Sequence, residues 1–234
     1  MRLVPMLAKR AILTFDDAVS NHATFVAPLL KHYGFGATFY IAEYPGPGDG
    51  TDRFATDKHQ YMTWEQIRAL DASGFEIGNH TGNHATMRDL DDATMSAELD
   101  LIETRCRARD IAPPTTFAYP CGHYDEAAIM LLRRRGYRLA RTTENRPWDP
   151  ATDDPLKIPG IVITDKNPDA FATALRSTET AMRTAGRLHI AVFTFHGIPD
   201  YNHPWVTFSP ENFRAALKRL HDENWRVISL RDAL

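Results

Sequence analysis

The sequence predicts an α/β fold of parallel strands joined by crossover helices. Three observations lead there. Runs of strand type alternate with helix-type periodicity six or seven times along the 234 residues, the order that β–α–β crossovers require. No composition break, internal repeat or low-complexity segment divides the chain. The residues best suited to chemistry (Asp16, Asp17, His80, His84, Cys121 and His196) each follow the end of a strand-type run. In parallel α/β proteins that rim carries the site. A doubly wound sheet and a barrel both satisfy this pattern.

The elements follow in order. "RAILTF" at 10–15 reads as a short buried strand. Residues 20–33 read as a helix capped by Ser20 or Asn21 and stopped at Gly34, with Pro28 either delaying its start or kinking it. "GATFYIA" at 36–42 is a second strand, and the Gly/Pro/Asp-rich stretch 43–59 is a loop. Thr63 and Gln66 form a capping-box pattern that opens a helix to about Ala72. "GFEIGNH" is a third strand. Asp91 or Asp92 caps a helix with Met95, Leu99, Ile102 and Cys106 on one face. "TTFAY" is a strand ending at Pro120, followed by the helix "DEAAIMLLRRRG" and the strand "YRLART". "LKIPGIVI" is extended, 168–185 is helical and "LHIAVFTF" is a strand. Ser209 and Pro210 stand at N-cap and N1 of a helix reaching about His221, and "WRVISL" closes the chain.

Composition narrows the function. The chain is 43% hydrophobic and 24% charged with net charge −3, and a chain of this length buries roughly 70% of its unfolded surface. It has no basic stripe, so nucleic acid is not an expected partner. No apolar run approaches the ~20 residues of a membrane span. "MRLVPMLAKR" is too short and interrupted for a signal peptide, so the cytoplasm is the expected location unless a leader has been removed. Two cysteines, Cys106 and Cys121, are too few for a disulfide framework and are expected as thiols.

Ten histidines make a metal or acid–base site worth seeking. His80 and His84, four apart in "HTGNH", can aim two imidazoles at one point. An isolated pair of this spacing is more often two polar loop histidines. Beside a carboxylate it becomes a two-His, one-carboxylate set with open positions, which is a catalytic rather than a structural metal site. "LTFDDA" supplies two carboxylates, Asp16 and Asp17. A single aspartate there would read as a turn or a cap. Two are explained if one binds a cation and the other stays free, because the cation keeps both ionised. His196 precedes Gly197 at a strand end and is either a capping histidine or a general acid. "YPCG" at 119–122 is either a plain strand-ending turn or one that offers a backbone N–H to an oxyanion. Cys121 has no basic neighbour in sequence to activate its thiol. Trp205, in "IPDYNHPW", is either a sugar-stacking platform or an aromatic that packs a lid.

Together these pieces resemble the polysaccharide deacetylases, the family-4 carbohydrate esterases related to rhizobial chitooligosaccharide deacetylase. The resemblance runs from Ile12 to Leu230. "TFDD" is similar to the family's first motif, which implies Asp16 as general base and Asp17 as a metal ligand. "HTGNH" is similar to the second, which implies His80 and His84 as the other ligands. "AYPCG" and "TFH" stand where the family has a groove-lining motif and the motif of the catalytic acid. The resemblance therefore implies roles for the Cys121 backbone and His196 in catalysis and for Tyr119 and Pro120 in lining the substrate groove; Trp205 and Arg141 are further candidates for substrate binding. This sequence departs from the pattern at Ala118 (often Arg), at Thr194 (usually Leu), at Ala18 (commonly Gly) and at the Asp-x-x-Asp-Trp motif, for which "ENRPWDP" at 144–150 is a weak counterpart. Arg141 is the candidate replacement for the arginine missing at Ala118.

What the resemblance implies is a single catalytic domain over 1–234 with a distorted (β/α)7 barrel of parallel strands and surrounding helices. It implies one divalent metal ion, most often zinc, with Co2+, Ni2+, Fe2+ or Mn2+ as alternatives. The implied substrate is an N-acetylated or O-acetylated sugar or oligosaccharide. Two alternatives stay open: a metal-dependent hydrolase of a cyclic amide or imide, which needs a closed pocket, and an inactive sugar-binding homologue.

Overall fold

The computed structural model describes residues 8–44, 54 and 57–234. Most of the 43–59 loop expected from sequence therefore lies outside the described residues.

β1 (Arg10–Phe15) is the central stave. Along one edge it pairs in parallel with all of β7 (Ile190–Phe195), from Arg10↔Ile190 to Phe15↔Phe195. Its other edge is shared: β8 (Arg226–Ile228) takes the first half and β2 (Thr38–Ile41) the second. Beyond β2 follow β3 (Glu76–Asn79), β4 (Thr116–Ala118) and β5 (Leu139–Arg141), all parallel. Beyond β7 lies β6 (Ile161–Val162). The two ends of this sheet meet through one segment, because Arg141 of β5 also bridges Ile158, just ahead of β6. The result is the distorted (β/α)7 barrel; β8 is an extra strand beside β1.

The helices largely start and stop where their caps demand. α2 (Trp64–Ala72) begins with a complete capping box: the Thr63 hydroxyl accepts from Gln66 N, and the Gln66 side chain accepts from Thr63 N. Asp91 caps α3 (Asp92–Arg107), which buries Met95, Leu99, Ile102 and Cys106, the face that periodicity predicts. α4 (Glu126–Arg134) and α5 (Ala170–Ala185) follow, and Ser209 caps α6 (Pro210–Asp222). Among the described residues, no helix is long and apolar enough to cross a membrane.

The first helix departs from expectation. Neither Ser20 nor Asn21 caps it: the Ser20 hydroxyl donates to His59 O, and the Asn21 amide holds the distant Ile198–Pro199 backbone. Pro28 has no N–H to give, and the chain widens before it into a π turn, His22–Val26, closed by Ala27 N to His22 O. α1 (Ala27–Tyr33) then runs to the left-handed Gly34.

Two-residue alternation sorts the strand residues between two cores. Ala11, Leu13 and Phe15 of β1 and Phe193 and Phe195 of β7 face the helices in one large apolar cluster. Ile12, Tyr40, Ala118, Leu139, Ile190 and Val192 fill the barrel. The same phase carries one step further along four strands: to Asp16 after β1, His80 after β3, Arg141 at the end of β5 and His196 after β7. Those side chains are therefore delivered to the C-terminal mouth of the barrel. Trp148 and Asp149, from the stretch "ENRPWDP", sit at the other end. Trp148 is buried against Ile190, and Asp149 pairs with Arg187. These two residues of the weak counterpart to the Asp-x-x-Asp-Trp motif are therefore remote from the mouth that carries Asp16 and His80.

Gly78, inside the barrel, leaves room for the fully buried Tyr40 ring, which a Cβ would meet at 2.3 Å. Gly78→Ala should therefore cost about 1–3 kcal/mol through overpacking, read as a lower midpoint of chemical denaturation. An unchanged midpoint would mean that the interior can yield at this layer.

Candidate active site

Both aspartates reach the rim because of how β1 ends. Asp16 N donates to Phe195 O at 2.9 Å, which extends the β1–β7 ladder by one residue and keeps Asp16 in the inward phase. The backbone then turns left-handed at Asp17 (φ 73°) and Ala18 (φ 50°). Without that turn Asp17 would face the helices. A left-handed alanine costs roughly 1–2 kcal/mol, which gives a physical reason for glycine as the common residue at position 18.

The ligand loop is held just as firmly. The Asn79 side chain accepts from Thr81 N at 2.9 Å, and Gly82 N donates to Glu98 O of α3 at 2.9 Å. Thr81 and His84 are left-handed, at φ 65° and 55°. His80 Nδ1 lies 2.7 Å from the Ala118 carbonyl, which can only accept, so Nδ1 carries the proton. Burial lowers the His80 pKa to about 4, so the ring is neutral and Nε2 presents a bare lone pair. That atom faces Asp17 Oδ1 at 3.6 Å, and His84 Nε2 faces the same oxygen at 3.6 Å. Two imidazole nitrogens and a carboxylate oxygen thus lie within 4.8 Å of one another. This donor set fits a divalent cation with open coordination positions.

Asp16 is held differently. Arg141, fully buried, donates from NH2 to Asp16 Oδ2 at 2.5 Å. Burial, the largest single influence, pushes the Asp16 carboxyl up, but Arg141 together with His80 and His196 outweighs it and holds the group below its ordinary value. Oδ1 of Asp16 is buried with no hydrogen-bond partner among the described residues. The arginine thus grips one oxygen and leaves the other bare. In the sheet register Ala118 and Arg141 are direct partners on neighbouring strands. Arg141 thus stands one strand away from position 118, at the same register level.

These groups line a cavity of about 540 Å³ together with Tyr119, Thr194, His196, His203 and Trp205. His196 Nε2 is 3.9 Å from Asp17 Oδ2, and its backbone carbonyl accepts from His22 Nε2 at 3.0 Å. Cys121 is left-handed (φ 54°) in a tight turn, Pro120–Gly122, and its backbone N–H meets no acceptor among the described residues. Its thiol is free, and burial followed by Asp17 raises its pKa, so it is not an activated nucleophile. The Tyr119 hydroxyl is committed to Leu156 O, so Tyr119 offers the cavity only a wall. Pro120 is buried and does not line the cavity. Trp205 is 56% exposed and meets the His203 ring edge to face. The loop that carries both is braced: Asn21 holds Ile198 and Pro199, and buried Asp200 accepts from Gly197 N and His203 N. In this structure it forms one wall of the cavity. Tyr44 was not singled out in the sequence, yet its hydroxyl donates to Asp17 Oδ1 at 2.6 Å.

Comparison with known proteins agrees with this geometry. The sequence profile of the family described as Polysaccharide deacetylase matches residues 4–140. The Bacillus subtilis protein YxkH is 27% identical over 136 residues, 58% of this chain and 45% of YxkH. The peptidoglycan-N-acetylglucosamine deacetylase of Bacillus cereus is 26% identical over 137 residues, 58% of this chain and 57% of that protein. The chain thus spans about half the length of the curated relatives it matches. Among solved structures, the Xyl-CE4 domain of a multidomain xylanase from the hindgut metagenome of Trinervitermes trinervoides superposes with a TM-score of 0.64 at 13% identity, covering 96% of this chain and 89% of that one. That likeness concerns the fold.

Removing Arg141 should leave a buried carboxylate without its partner. Arg141→Ala is expected to cost about 3–5 kcal/mol at neutral pH, while Ala118→Arg combined with Arg141→Ala regains much of it. The sign follows from the depressed Asp16 pKa: the pair's stabilisation is present above the ordinary carboxyl value and is lost as pH falls through the lower folded value. Denaturation of wild type, single and double variants across acidic and neutral pH reads this. A gap between wild type and Arg141→Ala that stays constant as Asp16 protonates would contradict it.

Proposed function

The chain belongs to the polysaccharide deacetylase family, and from that premise we propose that it is a metal-dependent hydrolase that removes acetyl groups from N-acetylated sugars. The observation that carries the reading is the convergence of Asp17, His80 and His84 on one point, with a second carboxylate, Asp16, beside them and held by Arg141. Asp17, His80 and His84 would hold one divalent ion, zinc by ligand type. Bound there, it supplies a Lewis acid for the amide carbonyl and lowers the pKa of water.

The chain's own residues do the rest. Asp16 takes the proton of the attacking water on Oδ1, the oxygen that Arg141 leaves free. Arg141 keeps Asp16 ionised and its carboxylate fixed. The Cys121 N–H, aimed by its left-handed turn, is the donor for the developing oxyanion. His196 passes a proton to the leaving amine. Trp205 stacks on the sugar, and the braced 197–208 wall favours a substrate of no more than a few sugars.

His80→Ala or His84→Ala should abolish bound metal and activity while the protein still folds, checked by elemental analysis beside circular dichroism. Asp17→Asn should lose metal as well. Asp16→Asn should keep it and lose ~10²–10⁴ in rate. Equal metal loss in both aspartate variants would make Asp16 a ligand and end the division of labour. Trp205→Ala should raise KM ~10–100-fold with kcat nearly unchanged, since burying one tryptophan face contributes a few kcal/mol at most. Assays on acetylated monosaccharides, short oligomers and long polymers, with small cyclic amides alongside, test the substrate. Preference for long polymers or for the cyclic amides would overturn the reading.

A further inference from the structure

Asp17 has two oxygens, and only one faces the imidazole pair. Oδ1 is 3.6 Å from Nε2 of both His80 and His84, whereas Oδ2 faces His196 Nε2 at 3.9 Å. A carboxylate turns readily about its last torsion, which is broad and two-fold. Something must therefore hold Oδ1 toward the histidines. The contact that does so is the Tyr44 hydroxyl, donating to Oδ1 at 2.6 Å.

Tyr44 is itself fixed on three sides. Its ring stacks on the His84 ring at 5.6 Å and 26°. It also meets the Tyr61 ring at 5.5 Å. Its backbone N–H and that of Glu43 both donate to Gly82 O, inside the "HTGNH" loop, at 2.8 and 2.9 Å. Glu43 is anchored in turn by Trp64 Nε1 at 3.0 Å and Arg105 Nε at 2.9 Å. A single side chain, three positions past the end of β2, therefore touches the carboxylate member of the donor set and stacks on one imidazole member, and its backbone is tied to the loop between the two histidines.

We propose that Tyr44 is a positioning residue of the metal site, its hydroxyl orienting Asp17 so that one carboxylate oxygen faces His80 and His84. The proposal rests on those three residues being the ligands. Partners that orient ligands in this way typically account for 10–100-fold in metal affinity.

The test is competition for zinc between the purified full chain and a chromophoric chelator, with thermal unfolding of the apo-protein alongside. Tyr44→Phe keeps the ring and its stack on His84 but removes the donor. It should bind zinc ~10–100-fold more weakly and unfold at the same temperature as wild type. At saturating zinc its kcat should return to near the wild-type value. Tyr44→Leu, which also removes the stack, should bind no better than Tyr44→Phe. Zinc affinity in Tyr44→Phe equal to wild type overturns the proposal and leaves the ligand assignment standing. Failure of wild type to bind zinc, cobalt or nickel overturns both. A Tyr44→Phe enzyme that is saturated with zinc but stays inactive also overturns it, since the hydroxyl would then act on the substrate.

Discussion

The structure turns on the difficulty of keeping two adjacent carboxylates ionised at the end of a buried strand. Asp16 and Asp17 are both nearly inaccessible to water, and a buried anion without partners costs several kcal/mol. The two receive different compensation. Asp16 has a permanent cation, Arg141, from the far edge of the same barrel. Asp17 has one tyrosine hydroxyl and three surrounding imidazoles. At neutral pH the His80 imidazole carries no charge, so the Asp17 cluster gains most from a cation that enters it. The two carboxylates thus sit in different electrostatic surroundings.

The barrel makes this compensation possible. Asp16 and Arg141 are 125 residues apart, and they meet only because β5 and β1 present the same inward phase at the same height. The Ala118↔Arg141 pairing adds that this height can be served from either of two neighbouring strands. A purely sequential view of the groove motif sees a lost arginine. The register sets the Arg141 guanidinium one strand spacing from that position.

Much of this was legible in the sequence, for physical reasons. Strand-type runs such as "IAVFTF" and caps such as Asp91, Thr63 and Ser209 act locally, so local pattern finds them. The rim position of Asp16, Asp17, His80 and His84 followed from strand ends alone. What stayed hidden depends on distant partners. Asn21 reads as a cap but holds a loop 177 residues away. Trp148 reads as part of a weak Asp-x-x-Asp-Trp counterpart but packs at the barrel's other end. Arg141 is a candidate from the resemblance alone, and only the structure supplies its contact with Asp16. Tyr44 was lost in a run of glycine and proline, although its place just past β2 obeys the same rim rule as the histidines.

The central claim is that two imidazoles and one carboxylate form a metal centre in which neither Asp16 nor Cys121 takes part. X-ray absorption at the zinc edge of the fully loaded protein tests it most directly. The account predicts one zinc per chain, with scattering from two imidazole rings, oxygen or nitrogen neighbours near 2.0–2.2 Å and no sulfur. A shell near 2.3 Å from a thiolate, or a spectrum without imidazole scattering, would contradict it.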